Sequence, residues 1–276
     1  METISYWHNK NAMNEIEMKK RLETLLKDFN YVPEYQVDVM GKKVDVPVKY
    51  SDASAFMIFF PISLGKAKDF LKSGRLTPVS ILGGRCVLAV TFFNYYDCAI
   101  GPFQEFTFSI PVMVDSKFNI PILPIIFDSV FSNFGYNVIL IGTNSDISRK
   151  HIEKIFPYPS FDKNISTNLN EKDKHLSANI KNGTDEVISV SLDLQGNYKM
   201  SKKRYNTYYT RDNKIYRVRL NTFLFWEKII EMKNLRLNFG NHEISRIFEK
   251  LDVNPKPIAS VYYKKAIEIA SAREEI

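Results

Sequence analysis

One carboxylate stands among residues that would not ordinarily surround it. Glu105 follows the Gly101-Pro102 turn and lies in the run Phe103-Gln104-Glu105-Phe106-Thr107-Phe108-Ser109-Ile110-Pro111-Val112. A strand carries a charge among aromatic residues where that face is wet, or where the charge has a task. The period of two puts Glu105 on the face of Phe103, Thr107 and Ser109, with Phe106, Phe108 and Ile110 on the other. From this pattern alone two readings stay open. Glu105 is a solvent-facing charge, or it is a pocket acid/base with a raised pKa.

Other residues capable of chemistry offer less. Ser160 follows Tyr158-Pro159, but no Gly-x-Ser-x-Gly elbow and no evident base accompany it. Lys163, three residues further on, could reach a pocket if its loop bends, although a lysine in a polar loop is usually solvated. His8, His151, His175 and His242 are scattered without ligand spacing, and Cys86 and Cys98 make neither a disulfide framework nor a metal motif. A glycine-rich phosphate loop is absent, so nucleotide hydrolysis has no support. Lys199, Lys202, Lys203, Arg204, Arg211, Lys214, Arg217 and Arg219 interleave with Tyr198, Tyr205, Tyr208, Tyr209 and Tyr216. Single-stranded nucleic acid can be held by such a mixture, but a strand with one wet face shows it too, and that is the reading we keep.

The elements around these residues read as mainly β. The 276 residues, with 45% hydrophobic and 25% charged content, suit a globular chain with a sizeable core. The 20 Phe and 15 Tyr favour strands, and the net charge of +7 suits an anionic ligand or simple solubility. The opening residues lack a basic n-region followed by an apolar h-region, and Phe56 to Ile62 is too short to span a bilayer, so a cytoplasmic, reduced protein is expected. Leu22, Leu25, Leu26 and Phe29 repeat with helical spacing, which predicts a helix over residues 12–29. Strands are expected at Phe56 to Pro61, Cys86 to Phe93, Phe106 to Val112, Asn137 to Ile141, Ile188 to Leu194, Tyr205 to Phe225 and Ala259 to Ile269. Short helices are expected at Leu64 to Leu71, from Asn144 or Ser145 to Phe156, and at Glu243 to Lys250. The polar, lysine-rich stretch Asp162 to Gly183 reads as a mobile loop.

Four segments together resemble the acetoacetate decarboxylase superfamily. They are Pro47-Val48-Lys49-Tyr50 with Phe56 to Phe60 and the helix at Leu64 to Leu71; Tyr95-x-Asp97 with Ile100-Gly-Pro-Phe-x-Glu105 and Ile110-Pro-Val; the helix ending Phe156-Pro157-Tyr158-Pro159-Ser160-Phe161; and Leu235-Arg236-Leu237 with the stretch Pro255 to Tyr263. The resemblance implies an α+β, mainly β fold: a closed antiparallel β-barrel or cone with peripheral helices. It implies a single domain, with residues 1–45 a helical extension and 46–276 the barrel core. A homo-oligomer, no cofactor, no metal and no membrane or nucleic-acid partner are expected with it.

In that family a lysine after a Tyr-Pro pair forms a Schiff base with a ketone, its pKa lowered by desolvation and a neighbouring cation. Here the matching position is Ser160, and the adjacent second lysine falls at Phe161. Ungapped counting places the family's pocket arginine at Ala53 and its second glutamate at Val90. A hydroxyl cannot form an imine. The resemblance therefore implies a pocket for a small carbonyl compound or oxo acid, with Glu105 as the acid/base in enolisation, hydration or retro-aldol cleavage. Tyr96, Phe103, Tyr158, Ser160 and Phe161 are the implied binding residues. Two alternatives remain: a non-catalytic ligand-binding or assembly relative, and a lyase that uses a relocated Lys163. Incubation with acetoacetate and borohydride should leave the intact mass unchanged. A stable adduct that disappears in Lys163→Ala would restore imine chemistry.

Overall fold

The computed structural model describes Lys20, Thr24 and residues 31–276, apart from 72, 117–120, 128, 129 and 230. The helix expected over residues 12–29 falls almost wholly outside the described residues. The chain divides into two units, 1–31 and 32–276. In the first, Lys20 and Thr24 are helical, and Thr24 Oγ1 donates to the Lys20 carbonyl.

The larger unit is built from fifteen strands among the described residues. They are β1 (Tyr35–Val39), β2 (Lys42–Val46), β3 (Val48–Ser63), β4 (Leu76–Pro78), β5 (Arg85–Cys98), β6 (Phe103–Val114), β7 (Phe134–Thr143), β8 (Ser166–Lys172), β9 (His175–Asn182), β10 (Asp185–Asp193), β11 (Lys199–Arg211), β12 (Lys214–Ile229), β13 (Arg236–Phe239), β14 (Ala259–Ala270) and β15 (Glu274–Glu275). The order β11-β7-β6-β5-β3-β14-β12 closes on itself through a long β11–β12 pairing, giving a seven-stranded barrel. Closure removes the unpaired edges that an open sheet would expose. The barrel is mixed rather than purely antiparallel, because β7 and β11 run parallel at Gly135–Asn137 against Asn206–Tyr208. That pairing joins segments far apart in sequence, so no local turn pattern announces it.

A second sheet, ordered β13-β10-β9-β8, lies against the outside of the barrel. Its β8–β9 hairpin occupies the stretch expected to be a loop. Among its polar residues Leu169, Leu176, Ala178 and Ile180 recur with period two and are buried. These side chains meet Phe56, Ile58, Phe60, Leu88, Val90, Phe92, Phe106 and Phe108 from the barrel's outer wall, and this layer is the main core. Residues 35–45, expected within the helical extension, instead form a β-hairpin that ends at Val46. Valines 39, 44 and 46 of the hairpin join Tyr95, Phe103, Ile155 and Phe156 in a second cluster at one end of the barrel. The helix Asp146–Ile155 starts at Ser145, whose hydroxyl accepts from the Ser148 N–H, as the sequence suggests.

At the parallel closure, Gly135 has no room for a side chain. A Cβ there would run into the Asn206 carbonyl and the Tyr208 ring. Gly135→Ala should lower unfolding free energy by about 1–3 kcal/mol or more in urea titrations, as overpacking does. Gly74→Ala, with open space around it, should stay within about 0.5 kcal/mol. Equal effects would mean that the closure tolerates the methyl group.

Candidate functional site

The interior of the barrel is hollow at one level. The odd-numbered residues of β5 and β6 face inward, and among them Thr91, Phe93, Tyr95, Glu105, Thr107 and Ser109 border a cavity of about 80 Å³. The same wall carries Tyr50, Tyr136, Phe156, Tyr158, Tyr205 and Glu268, with Met57, Val138, Ile141, Ile152, Thr207, Leu220 and Ala270 between them. The composition is seven aromatic side chains, five of them tyrosines, four Ser or Thr and two carboxyl groups, the rest being apolar. Several waters or a ligand of a few heavy atoms would fit.

Glu105 reaches this wall because of a turn. Gly101, at φ +93°, closes Cys98 to Gly101, and its N–H donates to the Cys98 carbonyl at 2.9 Å. Lys42 Nζ donates to the Ile100 carbonyl at 2.6 Å and ties the turn to the β1–β2 hairpin. The resulting register pairs Phe93 with Glu105 and Tyr95 with Phe103. A slip of one residue would push Glu105 into the outer core instead. The residue is only 8% exposed and lines the cavity. Burial first, and the charge of Glu268 second, push the Glu105 pKa well above the ordinary carboxylate value.

Glu268 is a carboxylate that the sequence reading did not select. It arrives from β14, where Ala259 and Val261 face inward before the register shifts between Tyr263 and Ala266 and again before Glu268. The first shift is one extra residue in β14 and exchanges its inward parity, so that Glu268 and Ala270 face the cavity; the second is an extra residue in β3. Burial pushes its pKa up to about 7, opposed by a long hydrogen bond of 3.3 Å from the Tyr205 hydroxyl. Its sequence signal is that of Glu105, a single acid inside the apolar run Ile267-Glu268-Ile269. A similar shift in β3, between Tyr50 and Ala53, turns Tyr50 inward.

The aromatic wall is ordered by contact and by hydrogen bonds. Phe93 and Tyr95 stack with centroids 5.6 Å apart, and Tyr50 tilts over Tyr95 at 4.6 Å. The Tyr50 hydroxyl lies 2.9 Å from His151 Nε2, while Nδ1 has no partner. Burial lowers the His151 pKa to about 4, so the ring is neutral at pH 7. Tyr158 and Thr207 share a hydrogen bond of 2.7 Å. Burial raises the Tyr50, Tyr95 and Tyr158 phenols, and the two carboxylates add to the effect.

The other expected site residues scatter. Phe103 is buried and stacks on Tyr95 at 4.5 Å, behind the wall rather than on it. Tyr96 has the opposite parity, is 51% exposed and bonds Ser54 and Asn94. Ser160 is exposed, held between the Pro159 carbonyl that accepts from Ile141 N–H and the Phe161 N–H that donates back. Phe161 packs on the outer core and meets the His242 ring edge-on. Lys163 is 62% exposed and pairs with Glu243 at 3.6 Å. Of the positions reached by counting, Val90 lies in the outer core and Ala53 in the end cluster. Among the described residues, no group of His, Cys, Asp and Glu could hold a metal, and no helix is long and apolar enough to cross a membrane. The basic strand β11 lays Lys202 over Phe223 and Lys203 over Trp226, while Tyr208 and Tyr209 are buried.

Solved structures share this architecture. Acetoacetate decarboxylase from Legionella pneumophila aligns with a TM-score of 0.59 at 9% identity, over 92% of this chain and 95% of that one. The enduracididine biosynthesis enzyme MppR, complexed with pyruvate, aligns with a TM-score of 0.54 at 10% identity, over 84% and 91%. An acetoacetate decarboxylase-like enzyme from Sphingomonas wittichii RW1 gives 0.51 at 12%, over 89% and 99%. No protein-family model and no curated protein matches the chain. The fold is thus the acetoacetate decarboxylase-like one, as the sequence resemblance implied.

The carboxyl pair should be visible in stability. Between the ordinary 4.5 and about 7, the folded chain keeps a proton on Glu268 that the unfolded chain has released. Stability therefore falls as pH rises through that window, by roughly 3 kcal/mol at about 1.4 kcal/mol per pH unit. His151 acts in the opposite sense. Its folded value of about 4 lies below the ordinary 6.5, so its contribution is lost as pH drops from 6.5 towards 4. Subtracting parent from Glu268→Gln urea curves at each pH isolates the first effect. The variant should be the more stable at pH 8, and the gap should close below pH 4.5. A gap that does not change with pH would contradict the assignment.

Proposed function

We propose that the barrel cavity binds a small carbonyl compound and that Glu105 and Glu268 act on it as an acid/base pair, without an imine. The observation that carries this reading is the lining itself: two buried carboxyl groups with raised pKa, and no lysine among the described residues of the wall. A carboxyl whose pKa lies at about 7, as that of Glu268 does, can take a proton from the carbon beside a carbonyl and return it, which is enolisation. The neighbouring hydroxyls of Thr91, Thr107 and Ser109 supply donors for a carbonyl oxygen. Imine formation needs an unprotonated amine at the substrate. The exposed, ion-paired Lys163 gives that route little support.

Of the two ligand classes that the resemblance implied, a carbonyl compound without a carboxylate is favoured over the oxo acid. Pyruvate is the ligand in the MppR complex. Here an oxo acid's carboxylate would face two acidic groups and no countercharge, at a cost that burial magnifies. A non-catalytic binding protein is the second reading, favoured by the indirect placement of Ser160 and by the tight aromatic wall.

Hydroxyacetone in D₂O separates the two. Exchange of its α-protons, followed by NMR, should be accelerated by the parent chain. Glu105→Gln should reduce the acceleration by about 10² or more, while ligand-induced shifts of cavity resonances persist. Binding without exchange in the parent would favour the non-catalytic reading.

A further inference from the structure

We infer that the ligand of this cavity carries a protonated amine beside its carbonyl group, so that the site selects a small amino-ketone or amino-aldehyde; this rests on the proposal above that the cavity is a carbonyl site. The geometry behind it is a cage. Tyr50, Phe93 and Tyr95 form one overlapping set of rings, and Tyr136 meets Tyr205 edge-on at 6.2 Å on another part of the wall. Ring faces attract ammonium groups, most strongly when the cation is desolvated. Glu105 and Glu268 add two carboxyl groups to the same wall, and among the described residues no Lys, Arg or His stands in it.

Two further observations mark the space as built for a ligand. Glu105 is more than nine-tenths buried at the cavity wall, and Thr91, fully buried, has an unpartnered hydroxyl at the same wall. Unpaired buried polar groups are costly unless something satisfies them. An anion would be repelled once either acid ionises, and a neutral molecule would leave the acids protonated and without a charged partner. A cation satisfies both acids, with the Thr91 and Ser109 hydroxyls left for the carbonyl oxygen. The titratable groups facing the pair are the phenols of Tyr50, Tyr95, Tyr136, Tyr158 and Tyr205. Beyond Tyr50 lie Cys98 and the neutral His151. None of these supplies a positive charge near pH 7.

Aminoacetone and hydroxyacetone differ chiefly in ammonium against hydroxyl, so titration calorimetry with both, at fixed ionic strength, tests the inference. At pH 7.5 aminoacetone should bind at least tenfold more tightly. Its binding should also release protons from the carboxyl pair, read as a heat that changes with the ionisation enthalpy of the buffer. The preference should shrink at pH 5 and vanish in Glu105→Gln/Glu268→Gln. The pH dependence of the parent gives the same reading if that variant does not fold. Hydroxyacetone binding as tightly as aminoacetone would overturn the ammonium inference and leave the carbonyl site standing. Ethylammonium binding while hydroxyacetone is silent would support the cation cage and remove the carbonyl. Silence from all three probes would overturn both.

Discussion

The apolar layer between the barrel's outer wall and the second sheet is what the rest of the molecule depends on. Phe56, Phe60, Phe92, Phe106 and Phe108 are essentially inaccessible there, clasped by Leu176, Ile180, Ile188 and Leu192. Burying a side chain of this size contributes about 1.5–3 kcal/mol. Because that stabilisation is collected outside the barrel, the inside need not be close-packed. A small barrel whose only core was its lumen would have to fill it with side chains. This one keeps space inside, and can hold two carboxyl groups in it, because another layer carries the stability.

That division of labour explains the burial of both faces of β3, β5 and β6. The even positions belong to the core and the odd positions to the cavity, so a single register shift would exchange a phenylalanine for a glutamate. The short turn at Gly101, tied to Lys42, therefore positions chemistry as well as chain direction. The carboxyl groups themselves oppose folding at neutral pH. Sites that do work commonly retain such unfavourable groups at some cost in stability.

Much of this was legible in the sequence, for reasons that differ from element to element. Glu105 could be assigned to a face because β6 alternates without interruption from Phe103 to Ile110. The Ser145 cap and the strand from Ala259 were readable from local chemistry. Glu268 was not, although it has the same apolar neighbours, because a bulge in β14 changes which parity faces inward and a bulge leaves no mark in hydrophobic spacing. The β8–β9 hairpin was hidden by its lysines and asparagines, since only one face of it meets the core. Barrel closure through β7 and β11 depends on residues some seventy positions apart, beyond the reach of any window. The Tyr-Pro-Ser segment was correctly located by resemblance, yet Ser160 itself points to solvent while Tyr158 reaches the cavity wall.

The bulge in β14 also bears on how such a site could be gained or lost over generations. It is an extra residue accommodated by the strand, so the identity of the side chain at the cavity depends on chain length between Tyr263 and Glu268. Deletion of one codon in that interval, with the upstream pairing and the bulge kept, would bring Ile269 to the place of Glu268 with no substitution at either position. A lineage could thus pass between a charged and an uncharged lumen by a change of frame along one strand. Comparing side chains at aligned positions would miss the event, whereas counting residues between fixed pairing partners would reveal it.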